Sequence, residues 1–240
     1  MNKIVVGWLY PDILNLHGER GNPQALKKVA KLLGVDLEVE RIDYLDKKID
    51  FDKYDILLSS AGEMKVIQEI VSVLNNQKEE LLKYINDNKI ILATGTSGAI
   101  FADNIKRSDC SFNGLNILNM DVVERNMVLG DDIYFKFNNM DITGCQIQMI
   151  DINLKNVKPL GKIIYGYGNN GKEEGARYKN VIFTNTLGPL LVKNPWFAEY
   201  LIKLALKNKN IKLKNKKIKY ELETNSLKST KQFIEMKMGS

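Results

Sequence analysis

The feature that most constrains this chain is an alternation in its first half. Short apolar, β-branched runs are each followed by a small-residue turn and then by a stretch with helical periodicity. Lys3 to Leu9 reads as a buried strand. The polar loop Tyr10 to Asn22 leads to an amphipathic helix over Pro23 to Leu33, with proline in its first turn and Gly34 at its end. Leu37 to Ile42 alternates as a second strand, and Tyr54 to Leu58 is a third, ending in Ser59-Ser60-Ala61-Gly62. A long helical pattern covers Lys65 to Asn86. Lys89 to Ala93 is the fourth strand, and Thr94-Gly95-Thr96-Ser97-Gly98 turns it into a short helix. Strand–helix repetition of this kind predicts a mostly parallel sheet with helices on both faces.

The second half changes character. Asp121 to Val128, Ile133 to Phe137, Ile142 to Ile152 and Lys162 to Tyr167 read as short strands separated by Asn, Gly and Asp, an antiparallel edge added to the sheet. Lys179 to Asn185 reads as a further strand, Trp196 to Leu206 as an amphipathic helix, and Leu222 to Met238 as a last, weaker one. The expected division is an α/β domain over residues 1–208, with a basic connector and C-terminal helix over 209–240 packed on it.

Composition narrows the function. No run of eighteen apolar residues is present, so no membrane span is expected, and no secretory leader pattern develops before Pro11; a cytoplasmic protein is expected. Cys110 and Cys145 form no Cys-x-x-Cys pair, and His17 is the only histidine, so neither a disulfide framework nor a metal site nor a cofactor is expected. The net charge of +6 concentrates in a run of Lys203, Lys207, Lys209, Lys212, Lys214, Lys216, Lys217 and Lys219. That run lacks interleaved aromatics and arginine, so it reads as a solvated helix end and not as a nucleic-acid groove.

In such a sheet ligands sit at the carboxyl ends of the strands. The turn Thr94 to Gly98 has the shape of a nucleophile elbow, with Thr94, Thr96 or Ser97 as the available hydroxyls. It equally suits anion binding through backbone N–H groups, or simple close packing of helix on strand.

Three long strings carry a resemblance. They are the opening loop Leu9 to Asn22, the Gly/Asn loop Tyr165 to Gly175 with Arg177 to Val181 after it, and Gly188-Pro189-Leu190-Leu191-Val192-Lys193-Asn194-Pro195. In that order they resemble the class I glutamine amidotransferases, and among them the GatD-type subunits of lipid II isoglutaminyl synthase, which are also similar to the amidotransferase domain of cobyric acid synthase. The resemblance implies a flavodoxin-like, three-layer α/β fold. It also implies a Mur-ligase-like (MurT-type), ATP-using partner that receives ammonia from this subunit. The polar residues of the resembling loops, Asp12, Asn15, His17, Glu19, Arg20, Asn22, Asn169, Asn170 and Arg177, are then expected to make partner or loop contacts.

The departures from that family are as informative. Where the family's elbow reads Cys-Gly-Gly-Tyr-Gln, alignment on Ile100-Phe101-Ala102 puts Gly95 at the cysteine, and a one-residue shift puts Thr94 there. The family's histidine, directly before Gly-Pro-Leu-Leu, is Leu187. Its Gly-Gly-Gly turn is Ser60-Ala61-Gly62, and a Gly-Phe-Glu-x-His-like string is Gly144-Cys145-Gln146-Ile147-Gln148. The expectation is a degenerate nucleophile position at Gly95 and a degenerate base position at Leu187, with no catalytic residue. Ser60, Ala61, Gly62, Thr94, Gly95, Thr96, Ser97 and Gln148 would line what remains of the ligand pocket. Two other readings stay open: an enzyme using a hydroxyl of Thr94, Thr96 or Ser97, and a sensor for a glutamine-like ligand.

Overall fold

The computed structural model describes residues 3–45, 48–213 and 217–239. Four apolar runs of the first half form β1 (Lys3–Leu9), β2 (Asp36–Ile42), β3 (Ile56–Ser59) and β4 (Ile90–Thr94). They are joined by α1 (Gly21–Leu33), and by α2 (Met64–Asn75) with α3 (Lys78–Asn86). All neighbouring pairs among the four strands are parallel, in the order β4-β3-β1-β2, as the alternation requires.

The single helix expected over Lys65 to Asn86 is two helices. The chain breaks at Asn76 and Gln77, where the buried Gln77 side chain turns inward to accept the Ile49 N–H at 2.9 Å. That partner lies 28 residues away, so local periodicity carries no trace of it.

After the elbow helix (Gly95–Phe101), the chain forms β5 (Asn104–Lys106) and β6 (Ser111–Asn113). The long strands β7 (Met120–Phe137) and β8 (Met140–Leu154) follow, then β9 (Gly161–Tyr165) and β10 (Glu173–Glu174). The expected antiparallel edge is corrected here: these strands build a second sheet of their own, in the order β10-β9-β7-β5-β6, with β8 on β7. The expected strands Asp121 to Val128 and Ile133 to Phe137 are parts of one strand, β7. The antiparallel addition to the first sheet is the short β11 (Ala176–Tyr178), which pairs with β12 (Val181–Thr184); β12 lies parallel to β4. Then come β13 (Thr186–Leu187), α4 (Leu190–Lys193), α5 (Pro195–Asn208) and α6 (Glu221–Gly239).

Alternation along the parallel strands divides the core. Ile4, Val6, Ile56, Leu58, Ile90, Leu92 and Ile182 face α1 and α5, while Leu57, Ile91, Ala93, Val181 and Phe183 face α2, α3 and the second sheet. Full burial of a side chain such as Leu26 on α1 or Leu201 on α5 is worth about 1.5–3 kcal/mol. α6 meets the rest of the chain through buried Ile234 and ion pairs of Lys231 with Asp141 (2.7 Å) and Lys237 with Asp131 (3.2 Å). In the lysine run, Lys209 pairs with Asp55 and Lys203 with Glu199; Lys214 and Lys216 lie outside the described residues.

Candidate functional site

β4 ends at Thr94, and the next residue, Gly95, takes φ +57 at the apex of the turn into the elbow helix. L side chains rarely adopt that backbone conformation, and strained turns of this kind present a nucleophile in elbow enzymes. Gly98, one turn on, packs so closely that a Cβ there would lie 2.2 Å from the Phe183 ring. The elbow is therefore pressed onto β12.

Its hydroxyls are committed within the protein. Thr96 Oγ1 donates to Gly62 O (2.6 Å) and accepts from Gly62 N (2.9 Å). Ser97 Oγ donates toward Ser59 O (2.7 Å) and Thr94 O (3.0 Å) and accepts from Thr94 N (3.2 Å). Thr94 Oγ1 accepts the Ser97 N–H in a capping box and donates to Glu19 Oε2 at 2.5 Å. These bonds stitch the elbow to the Ser59–Gly62 turn. The N–H of Gly62, a donor that could otherwise face a ligand, is occupied by Thr96.

Gly95 and Leu187 come together. A Cβ built on Gly95 would lie 3.2 Å from Leu187 Cδ2 and 3.1 Å from Ala61 Cβ. Leu187 is fixed by β13, which pairs antiparallel with β8 so that Leu187 stands opposite Cys145 and Thr186 opposite Gln146. The thiol of Cys145 packs on Gly188, with Sγ 2.6 Å from where a Gly188 Cβ would be. Burial pushes that thiol above its ordinary pKa, and the Glu19 carboxyl adds to the effect while Lys193 opposes it. The spacing of Cys145 in the sequence carries no hint that it lies across from Leu187.

Sequence reasoning placed Glu19 among the partner or loop contacts and not among the residues lining the pocket. Read as a partner or loop contact, Glu19 is instead fully buried, held at Oε2 by Thr94 and by Asn22 Nδ2 (2.8 Å), with no well-formed hydrogen bond at Oε1. Burial raises its carboxyl to a pKa of about 7, against the opposing pull of Thr94, the Gly188 amide and Asn22. Asn22 is likewise buried, and its Oδ1 accepts the Leu191 N–H at 2.8 Å. Asn169, expected as a partner or loop contact, makes its contacts inside the loop. It is buried, bonded to Gly175 N and O and to Asn185 Nδ2, and so bolts the Gly/Asn loop from inside. The same bolt holds the buried Glu174, which accepts from Thr184, Asn185 and Thr186. Burial drives its carboxyl up, and those donors hold it back.

The other loop residues are at or near the surface. Asp12, Asn15, His17, Arg20 and Asn170 are exposed, and Arg177 is half-buried over the Phe137 ring. Asn15 Oδ1 accepts the Arg20 N–H, and Asn170 Oδ1 accepts from Lys172 N and Glu173 N. His17 lies at φ +59 in the exposed turn Leu16–Gly18, outside the buried cluster. Ser60 and Ala61 are buried, and Ala61 O accepts the Leu16 N–H at 2.9 Å, which ties the opening loop to this turn. Gln148, expected to bind ligand, is buried with both ends of its amide engaged: Oε1 accepts from Gln146 and Nε2 donates to Ile150 O. Among the described residues no cluster of three or more His, Cys, Asp or Glu has the geometry of a metal site, and no helix is long and apolar enough to cross a membrane.

No family model matches the chain. Solved structures align along most of its length. A glutamine amidotransferase crystal structure covers 83% of this chain and 98% of its own at TM-score 0.55 and 15% identity. PurLQS from Thermotoga maritima covers 88% and 99% at TM-score 0.55 and 12% identity. The glutaminase domain of Trypanosoma brucei CTPS, with bound acivicin, covers 88% and 96% at TM-score 0.51 and 10% identity. Together with the elbow at the carboxyl edge of the parallel sheet, they place the fold in the class I glutamine amidotransferase type. Two sequence relatives narrow this. The GatD subunit of lipid II isoglutaminyl synthase (glutamine-hydrolyzing) of Streptococcus pneumoniae is 30% identical over 223 residues, covering 86% of this chain and 82% of its own. That of Staphylococcus aureus is 29% identical over 228 residues, 93% of each. The chain belongs to the GatD family.

Proposed function

We propose that this chain is a catalytically degenerate GatD-type subunit, the binding or regulatory partner of a Mur-ligase-like (MurT-type), ATP-using enzyme that forms an amide in cytoplasmic cell-wall or cobyrinate-type metabolism. The observation that carries the reading is the juxtaposition of Gly95 and Leu187 at the elbow apex, the two positions at which the family resemblance implies a thiol and its base. Hydrogen cannot attack the glutamine amide, and an aliphatic side chain cannot take a proton. The internal commitment of Thr96, Ser97 and the Gly62 N–H supports it further. What the relatives' names attach to them, lipid II amidation by a multi-subunit synthase, becomes for this chain the role of a scaffold that completes such an assembly.

The test is amide formation by the assembled pair. Added ammonium salt should support it, glutamine should not, and omission of this chain should lower the partner's rate or stability. Glutamine-supported amidation at a rate comparable to ammonium would overturn the reading.

One observation favours a second reading. Thr94 Oγ1 donates to a carboxyl whose pKa, about 7, suits a general base, so a threonine–glutamate pair stands at the elbow. Against it, Thr94 is buried and already serves as the helix cap. Replacing Thr94 with alanine separates the two: it leaves a non-catalytic subunit's partner function intact and abolishes turnover by a threonine enzyme.

A further inference from the structure

β7 and β8 pair in register from Met120–Leu154 to Glu124–Ile150 and again from Leu129–Gln148 to Phe137–Met140. Between those stretches Arg125, Asn126, Met127 and Val128 face Met149 alone. An ordinary bulge accommodates one extra residue. Four residues against one force the chain out of the ladder, and the protruding segment carries Met127, 80% exposed, and Val128, 55% exposed, at its tip. Val123 on the same strand and Tyr167 on the Gly/Asn loop add further exposed apolar surface. Arg125 gathers them: its guanidinium lies 5.7 Å from the Tyr167 ring centroid, its Nε donates to Met127 O, and it pairs with Asp151 opposite Val123.

Around the protrusion Glu124 pairs with Arg107 and Asp151 with Arg125, while Asp131 and Asp132 share the single cation of Lys237. From Asn126 to Gly130 the strand carries no charge at all. The surface complementary to such a knob is apolar and uncharged, and Met, Tyr and Arg are the residue types that interface cores favour. Its location is specific. Leu129, at the foot of the protrusion, pairs with Gln148, and the neighbouring Gln146 holds the N–H of Tyr167 (3.0 Å) while standing opposite Thr186, next to Leu187.

We infer that Val123, Met127, Val128 and Tyr167, gathered round Arg125, are the knob that seats in a neutral apolar depression of the ATP-using subunit, beside the Gly95–Leu187 site. This rests on the proposed function, which requires that subunit as the partner.

The test is a binding titration of the full chain with the ATP-using subunit from the same organism. Met127→Asp with Val128→Asp should weaken binding at least 30-fold, Met127→Leu should retain it, and Leu222→Asp, on exposed α6, should leave it unchanged. Unaltered thermal unfolding confirms that each variant folds; should the double variant not fold, Tyr167→Ala alone carries the test, with a loss of at least fivefold expected. An unmodified chain that does not bind overturns the proposed function and this inference together. Binding by the unmodified chain that the knob variants leave intact overturns this inference alone. Self-association of the chain that the variants abolish, with binding to the ATP-using subunit preserved, overturns it too, by showing a contact between copies.

Discussion

Replacing Glu19 with glutamine tests the buried carboxyl at the centre of the site. Folding moves this group from an ordinary pKa of 4.5 to about 7, with burial as the largest cause. A carboxyl raised in the folded state is protonated there while the unfolded chain has already ionised, so the folded state binds more protons between pH 4.5 and 7. Stability is therefore greatest below pH 4.5 and falls as pH rises through that window. At about 1.4 kcal/mol per pKa unit, the shift amounts to about 3 kcal/mol. Glutamine keeps an oxygen to accept from Thr94 and Asn22 and removes the charge, at the cost of an added amide donor in the same buried space. The variant should thus be level with or slightly below the unmodified chain at pH 5, and more stable by about 2 kcal/mol at pH 8. Urea unfolding followed by circular dichroism at both values measures the difference. Because both proteins share every other titrating group, the change in that difference isolates Glu19, and a difference that does not vary with pH would refute the assignment.

Four further substitutions probe the same architecture by chemical denaturation. Thr96→Val strands the N–H and C=O of Gly62 without their partner and should cost about 2–3 kcal/mol. Glu174→Ala removes the acceptor shared by Thr184, Asn185 and Thr186, should cost at least about 3 kcal/mol, and should open residues 165–175 to limited proteolysis. Gly98→Ala drives a methyl into the Phe183 ring and should cost about 1–3 kcal/mol, whereas Gly130→Ala, with open space around it, should cost less than about 1 kcal/mol.

Much of the parallel layer was legible because its determinants are local. β1 coincides with Lys3 to Leu9, and β2, β3 and β4 fall within two residues of their predicted starts. β3 and β4 are apolar runs buried on both faces, β1 is nearly so, and β2 alternates at the sheet edge, and patterns of either kind show themselves in any window of sequence. The elbow was legible for the same reason, since Gly95 and Gly98 mark positions where a side chain meets strain or another ring. What escaped depends on partners far away in the chain. The break at Gln77 follows from Ile49, the closure of the Gly62 N–H from Thr96, and the inward turn of Glu19 from Thr94, 75 residues on. In the loop, Gly18-Glu19-Arg20 looks like solvated polar sequence, and only the short turn at Leu16–Gly18 rotates the glutamate inward. The second sheet escaped because strand patterns fix neither the sheet a strand joins nor its neighbour.

The central claim is that the Gly95–Leu187 site does not hydrolyse glutamine, and ammonia release from isotopically labelled glutamine tests it most directly. Loss of one member of a nucleophile–base unit costs on the order of 10⁴ to 10⁶ in rate, and loss of the second adds little. The unmodified protein, alone and with the ATP-using subunit, should therefore release ammonia no faster than buffer, and Gly95→Cys alone should recover almost nothing while Leu187 remains. Robust release that Thr94→Ala abolishes would contradict the account in favour of a hydroxyl nucleophile, and release that Cys145→Ala abolishes would show that the thiol had moved to β8.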